Sequence, residues 1–271
     1  MGTSTRNKGQ SGHTPLVPSW LEGDGTTIGE DAQSVTVTEP IPPNGDENRF
    51  TGPRKDFTRY INGGGRDSSS MRNAISRYVG RSLGGSSRAT TRLGTARNST
   101  ARLYGVLNTL SRSGGVNEIA HQLSINSLEG LKASEFFVQI AFFICPDGGV
   151  DDEGMARSAY FDAIADNPDL FEKSTEELTV VECSSILQNF MCKVVMEHVM
   201  NDIANKTIVL PDDIDEVSRM EGLVEQLIKQ SVSDAFAEIQ QNNVQMTNSK
   251  AQEVTDSIYQ RTYEILEGQD E

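Results

Sequence analysis

The side chains best able to do chemistry in this chain are three cysteines, three histidines and an acidic run, and their spacing argues against most catalytic schemes. Cys145, Cys183 and Cys192 sit among apolar neighbours without CxxC spacing, which reads as buried reduced thiols. His13, His121 and His198 are scattered. His198 alone has a carboxylate one helical turn away, Asp202, and that pair reads as a core or interface histidine tied to a neighbouring acid. HExxH, GxSxG and clustered Cys/His ligand sets do not occur. The run DGGVDDEG at 147–154 invites a calcium reading, but Asp152 stands where a calcium loop requires glycine and its twelfth position carries no Glu. Helix-capping carboxylates are the better reading, as for Asp212, Asp213 and Asp215 farther on. The glycine clusters GGGRDSSS (63–70) and GRSLGGSSR (80–88) lack the GK[ST] ending that holds phosphate and magnesium, so they read as hinges.

One further reactive group belongs to the backbone. A Met-Gly start is commonly trimmed, leaving Gly2 with a free α-amine whose pKa is about 8, so part of it is unprotonated and nucleophilic at cellular pH. N-myristoylation would also use Gly2 but expects Ser or Thr at position 6, where Arg6 stands.

The elements that would carry these groups follow from composition and periodicity. A hydrophobic fraction of 36% over 271 residues is low for a chain folded throughout. Residues 1–66, rich in Gly, Ser, Thr and Pro, read as a long disordered arm. Its one apolar island, Leu16 to Leu21, holds Trp20, the single tryptophan, an aromatic plug suited to a groove of a partner or of the chain's own domain. The remainder reads as mainly α. A basic helical hairpin is expected at 67–113, one helix from Asp67 to Leu83 and a second from Thr91 to Arg112, joined through Gly84 and Gly85. An acidic helical domain packing with that hairpin is expected at 114–271. It holds short helices at 117–123 and 127–131, a buried central helix in EFFVQIAFFIC, and a helix from 151 to 165. Its end is an antiparallel bundle of three long helices, the first opened by a capping box at Ser174 and Glu177 and running about 30 residues.

The net charge of −15 divides along the chain: residues 49–112 carry +11 and residues from 114 onward −21. The basic segment therefore either meets an anionic partner or lies against its own acidic half. Arg72, Arg77, Arg81, Arg88 and Arg92, interleaved with Phe50, Phe57, Tyr60, Tyr78 and Tyr104, make nucleic acid a candidate partner, against the repulsion of the acidic remainder. No apolar run reaches the ~18 residues of a membrane helix, and the start has no apolar signal core, so a cytoplasmic location is expected.

Taken together, MGTS at the start, PLVPSW, a basic segment with glycine clusters, and FFICPDGGVDD followed by long helices resemble the QatB family, components of the bacterial Qat anti-phage system. With no catalytic set in the sequence, a non-catalytic protein without cofactor is expected. The partners the resemblance implies are an ATPase (QatA), a QueC-like enzyme (QatC) and a TatD-like metal-dependent nuclease (QatD). It also implies that Gly2 accepts a 7-deazaguanine group from the QueC-like enzyme, with Thr3 and Ser4 lining the entry channel and Trp20 helping that enzyme recognise the tail. A nucleic-acid-binding adaptor and a plain scaffold with an unmodified tail are the alternatives.

Overall fold

The computed structural model describes residues 48–125, 128–146, 151–204, 214–241 and 250–270. The chain divides into two units, Met1–Glu39 and Pro40–Glu271, and every described residue belongs to the second. The expectations for residues 1–47, including Gly2, Thr3, Ser4 and Trp20, lie outside the described residues.

Ten α-helices make up the described part: α1 (Thr51–Asn62), α2 (Ser68–Arg77), α3 (Ser86–Arg92), α4 (Thr95–Leu110), α5 (Gly115–Leu123), α6 (Ala133–Ile144), α7 (Asp151–Ala165), α8 (Val180–Val199), α9 (Ile214–Gln241) and α10 (Ala251–Glu267). No strand occurs among the described residues, and the one β-bridge pairs Lys132 with Ser174. Helices α8, α9 and α10 pack in succession, and α4 lies against α8 and α10. The core they enclose is rich in tyrosine, and several of its hydroxyls find partners: Tyr60 donates to the Met220 carbonyl at 3.1 Å, Tyr160 to the Phe137 carbonyl at 2.7 Å, and Tyr259 pairs with Thr100 at 2.7 Å, whereas the buried Tyr104 hydroxyl has none. Burying the paired rings adds apolar area without stranding their polar ends.

Several elements differ from the sequence reading, each for a local reason. Residues 51–62, read as the end of the arm, form α1, because Phe57, Tyr60 and Ile61 fall on one face and are buried. The helix after Asp67 begins as expected, with the Asp67 carboxylate accepting from the Ser70 amide at 3.2 Å. It then widens into a π-helical turn over Tyr78–Leu83 before the Gly84–Gly85 break. The expected helix from Thr91 to Arg112 is two helices, α3 and α4. They are divided at Gly94, whose φ of +52° lies in the left-handed region that residues with a Cβ avoid. Residues 128–131, expected to be helical, form a turn instead. The Ser174 capping box exists, Glu177 accepting from the Ser174 amide at 3.0 Å, but it opens only a short 3₁₀ turn. A second box five residues on, Thr179 with Glu182, starts α8.

The helix α6, expected to be buried on all sides, is buried on one. Phe136, Phe137, Ile140, Ala141 and Ile144 face the core, whereas Val138, Phe142 and Phe143 are exposed.

Candidate functional site

Two π-helical turns, Tyr78–Leu83 and Met200–Ala204, meet at a polar cluster that reaches into the described body. Such turns insert a residue into a helix and recur at functional sites. Here the second turn points Asp202 toward the first. Its carboxylate accepts from the Tyr78 hydroxyl at 3.0 Å and from the Arg92 guanidinium at 3.2 and 3.1 Å. Its backbone carbonyl accepts from Arg54 Nε at 3.2 Å and Nη2 at 2.8 Å. Arg92 and Arg54, with Arg49, surround the Phe50 ring, their guanidinium carbons 5.9, 5.3 and 4.7 Å from its centre. Burial, and then Asp202, push the Tyr78 hydroxyl well above its ordinary pKa, so it remains a donor rather than an acid.

His198 lies beside this cluster, buried, with a buried Nε2 that has no hydrogen-bond partner. The sequence reading pairs it with Asp202, but that carboxylate is taken by Tyr78 and Arg92. Burial pulls the imidazole below its ordinary value of 6.5; Asp152 and Asp202 oppose the shift and Arg92 adds to it. The fold therefore favours neutral His198. Its contribution is complete above the unfolded value of 6.5 and is lost as pH falls from there through the lower folded value. Glu197, raised by burial and by Asp162, acts with the opposite sign at lower pH. The difference between two melting curves isolates the histidine: His198→Leu is expected to match the wild-type melting temperature at pH 7.5 and to fall less than it does between pH 7 and 5.5. Parallel pH profiles for the two proteins would show that His198 carries none of this dependence.

The arginines read as anion contacts part company. Arg77 pairs with Asp56 at 2.5 Å and Arg92 with Asp202. Arg97 is bidentate to Asp256, with Nε at 2.7 Å. These pairs tie the basic segment partly within itself and partly to the acidic half. Arg72, Arg81 and Arg88 are exposed, Arg81 in an open groove that also holds Glu264 and Glu267. The three thiols are buried, and burial raises each of them, Cys192 to about 12, which removes the thiolate that nucleophilic or metal chemistry needs. Among the described residues no group of three or more His, Cys, Asp or Glu could hold a metal, and no helix is long and apolar enough to cross a membrane.

The cluster thus holds the fold together and offers no nucleophile. Compared with family models, residues 84–266 match the one described as Qat anti-phage system associated protein QatB. The chain belongs to the QatB family. Family membership makes it a component of the Qat anti-phage defence system. The QatB match runs from just before α3 into the last turn of α10, so it includes Arg92, His198 and Asp202, whereas Arg54 and Tyr78 come from residues ahead of it. Neither the curated proteins nor the solved structures gave a match. In a QatB chain the tail residues Gly2, Thr3, Ser4 and Trp20 precede the matched segment. No residue pattern could have announced the Asp202 cluster: its partners lie 110 to 148 positions away in sequence.

Proposed function

We propose that this QatB-family chain is a non-catalytic, cytoplasmic component of the Qat system whose Gly2 α-amine is the acceptor for a 7-deazaguanine group. The QueC-like partner, QatC, activates a carboxylate on the deazaguanine with ATP. The amine attacks the activated carbonyl, a C–N bond forms, the activating group leaves and the amine loses a proton. Thr3 and Ser4 leave the approach to that carbonyl unobstructed, and Trp20 is read by the same enzyme. The helical body docks on other components, QatA and QatD among them. The family match over residues 84–266 carries the assignment to the system. The start MGTS and the island around Trp20 support the fate of the tail, and the buried, raised thiols support a body that presents no cysteine nucleophile.

The mass of the N-terminal peptide after co-expression with the QueC-like partner tests this. Expected is a Gly2 bearing the deazaguanine group, and loss of phage protection when residues 2–12 are deleted. An unmodified Gly2 in a protecting system overturns the conjugation; protection that survives the deletion favours the plain scaffold. The exposed Arg72, Arg81 and Arg88 keep one other reading in play, an adaptor for nucleic acid. Steeply salt-dependent DNA or RNA binding that disappears when all three become alanine would establish it instead.

A further inference from the structure

Helix α6 is apolar nearly all round, a pattern that belongs to a helix covered on every side, yet the described body covers only one of its faces. Val138, Phe142 and Phe143 are 56%, 62% and 42% exposed, and Phe161 on α7 is 38% exposed. Val138 and Phe142 lie one turn apart on α6, and Arg157 joins Phe142 to Phe161 on α7. Its guanidinium carbon lies 4.3 Å from the centre of the Phe142 ring and 5.8 Å from that of Phe161, and its Nη1 donates to the Cys145 carbonyl at 3.3 Å. Two rings clamped on a guanidinium make a pre-ordered aromatic platform, and a partner that covers it loses little side-chain entropy. Aromatic residues and arginine are also the types enriched at the centres of protein interfaces.

Charge around the platform selects what covers it. Glu135 stands one turn before Val138 on the exposed face of α6, and exposed Asp162 follows Phe161. Asp162 already helps burial hold Glu197 above its ordinary pKa, a sign of crowded negative charge. Of the lysines on the adjoining elements, Lys173 pairs with Glu182 and Lys193 with Asp166 and Glu225, while Lys132 is turned onto the Glu172 carbonyl at the N-terminal end of α6. An apolar platform with an acidic rim fits an amphipathic helix whose apolar anchors are flanked by Lys and Arg. Because the described residues offer no strand edge, helix-in-groove docking suits this surface better than strand addition.

We infer that the Val138–Phe142–Phe143–Phe161 platform is where a basic-flanked amphipathic helix of another Qat component docks. This rests on the proposal that the body docks on system components and names the surface that does so. The platform lies inside the segment matched by the family model.

The test titrates the full chain, wild type and variants, against each of the other three purified components, with analytical size exclusion alongside. Phe142→Ser/Phe161→Ser removes the anchors and Asp162→Lys reverses the rim. Since all three side chains are exposed, thermal melts within about 3 °C of wild type are expected for both variants and establish that they are folded. Binding to one component should weaken at least tenfold in the double variant, roughly the cost of losing interface anchors. Asp162→Lys should slow association and abolish its salt dependence. Undiminished binding by the double variant overturns the surface and leaves body docking standing. A wild-type chain that binds none of the components overturns both. A wild-type dimer that the double variant abolishes gives the platform to a second copy and overturns the proposed occupant.

Discussion

Gly115→Ala is expected to cost about 4 kcal/mol of folding stability or to prevent folding altogether, far above the roughly 1 kcal/mol of an ordinary substitution. Gly115 opens α5 immediately after the turn that ends α4. A Cβ placed on it would lie 2.1 Å from the Thr109 carbonyl oxygen, 2.8 Å from the Thr109 carbonyl carbon and 3.0 Å from Leu110 Cα. All three are backbone atoms, so no rotamer change relieves the overlap. Either the last turn of α4 opens or α5 moves off, and both helices carry core side chains, Leu103 and Leu107 on one and Val116 and Ile119 on the other. The neighbouring glycine is the control. Gly114 has a φ of +76° but open space where its Cβ would be, so Gly114→Ala bears only the strain of a left-handed conformation, about 1–2 kcal/mol. Urea titration of the pair, read by circular dichroism, should place Gly115→Ala well below Gly114→Ala. Equal midpoints would show that the α4–α5 turn is looser than these distances.

The same turn shows why parts of this fold are legible in the sequence and parts are not. Ser113-Gly114-Gly115 marks a helix end in sequence, and the end is there, because glycine preference at such a turn is a local, one-residue property. Helix α7 is legible from the Pro-Asp-Gly-Gly stop at 146–149 and the acidic pair Asp151 and Asp152 after it, and the stripe Met220, Val224, Val232 and Phe236 of α9 because a 3.6-residue repeat is written within a few turns. Helix α1 escapes a sequence reading because only Phe57, Tyr60 and Ile61 signal it, between an IPPNGD segment and an NGGG segment that both argue for a loop. The start of α8 is ambiguous between two capping boxes, and the sequence reading takes the wrong one. Ser174 and Thr179 each satisfy the same local geometry, and only the packing of the downstream residues decides which one leads into a long helix. The exposed half of α6 is illegible in principle, since apolar residues on both faces say only that both are covered, not by which partner. The candidate site is the least legible part. His198 and Asp202 are visible as neighbours, but the π-helical turn that gives Asp202 to Tyr78 and Arg92 breaks the periodicity by which a sequence is read.

That turn gives Asp202 a structural role, and Asp202→Ala is expected to cost about 2–3 kcal/mol, the range for stranding a buried donor whose acceptor was charged. The donor is the Tyr78 hydroxyl. Without the carboxylate its remaining acceptor is the His198 carbonyl at 3.4 Å, too long for a strong bond, and the ring is fully buried, so water does not replace the loss. Arg92 is different: its side chain is 40% exposed and can turn to solvent, so Arg92→Ala should cost no more than about 1 kcal/mol, as exposed ion pairs do. Tyr78→Phe separates the two contributions. It removes the donor and leaves Asp202 with Arg92 and the surface, so it should cost about 1 kcal/mol. In that background Asp202→Ala should lose most of its effect, a coupling of about 1–2 kcal/mol in a double-mutant cycle. If Asp202→Ala costs the same with and without the Tyr78 hydroxyl, the carboxylate acts through Arg92 alone and the two π-helical turns are not joined through it. A coupling of the expected size means that this hydrogen bond helps fasten the turn ahead of the family-matched segment to the π-helical turn that follows α8. A member lacking either partner would then have to fasten the two turns in another way.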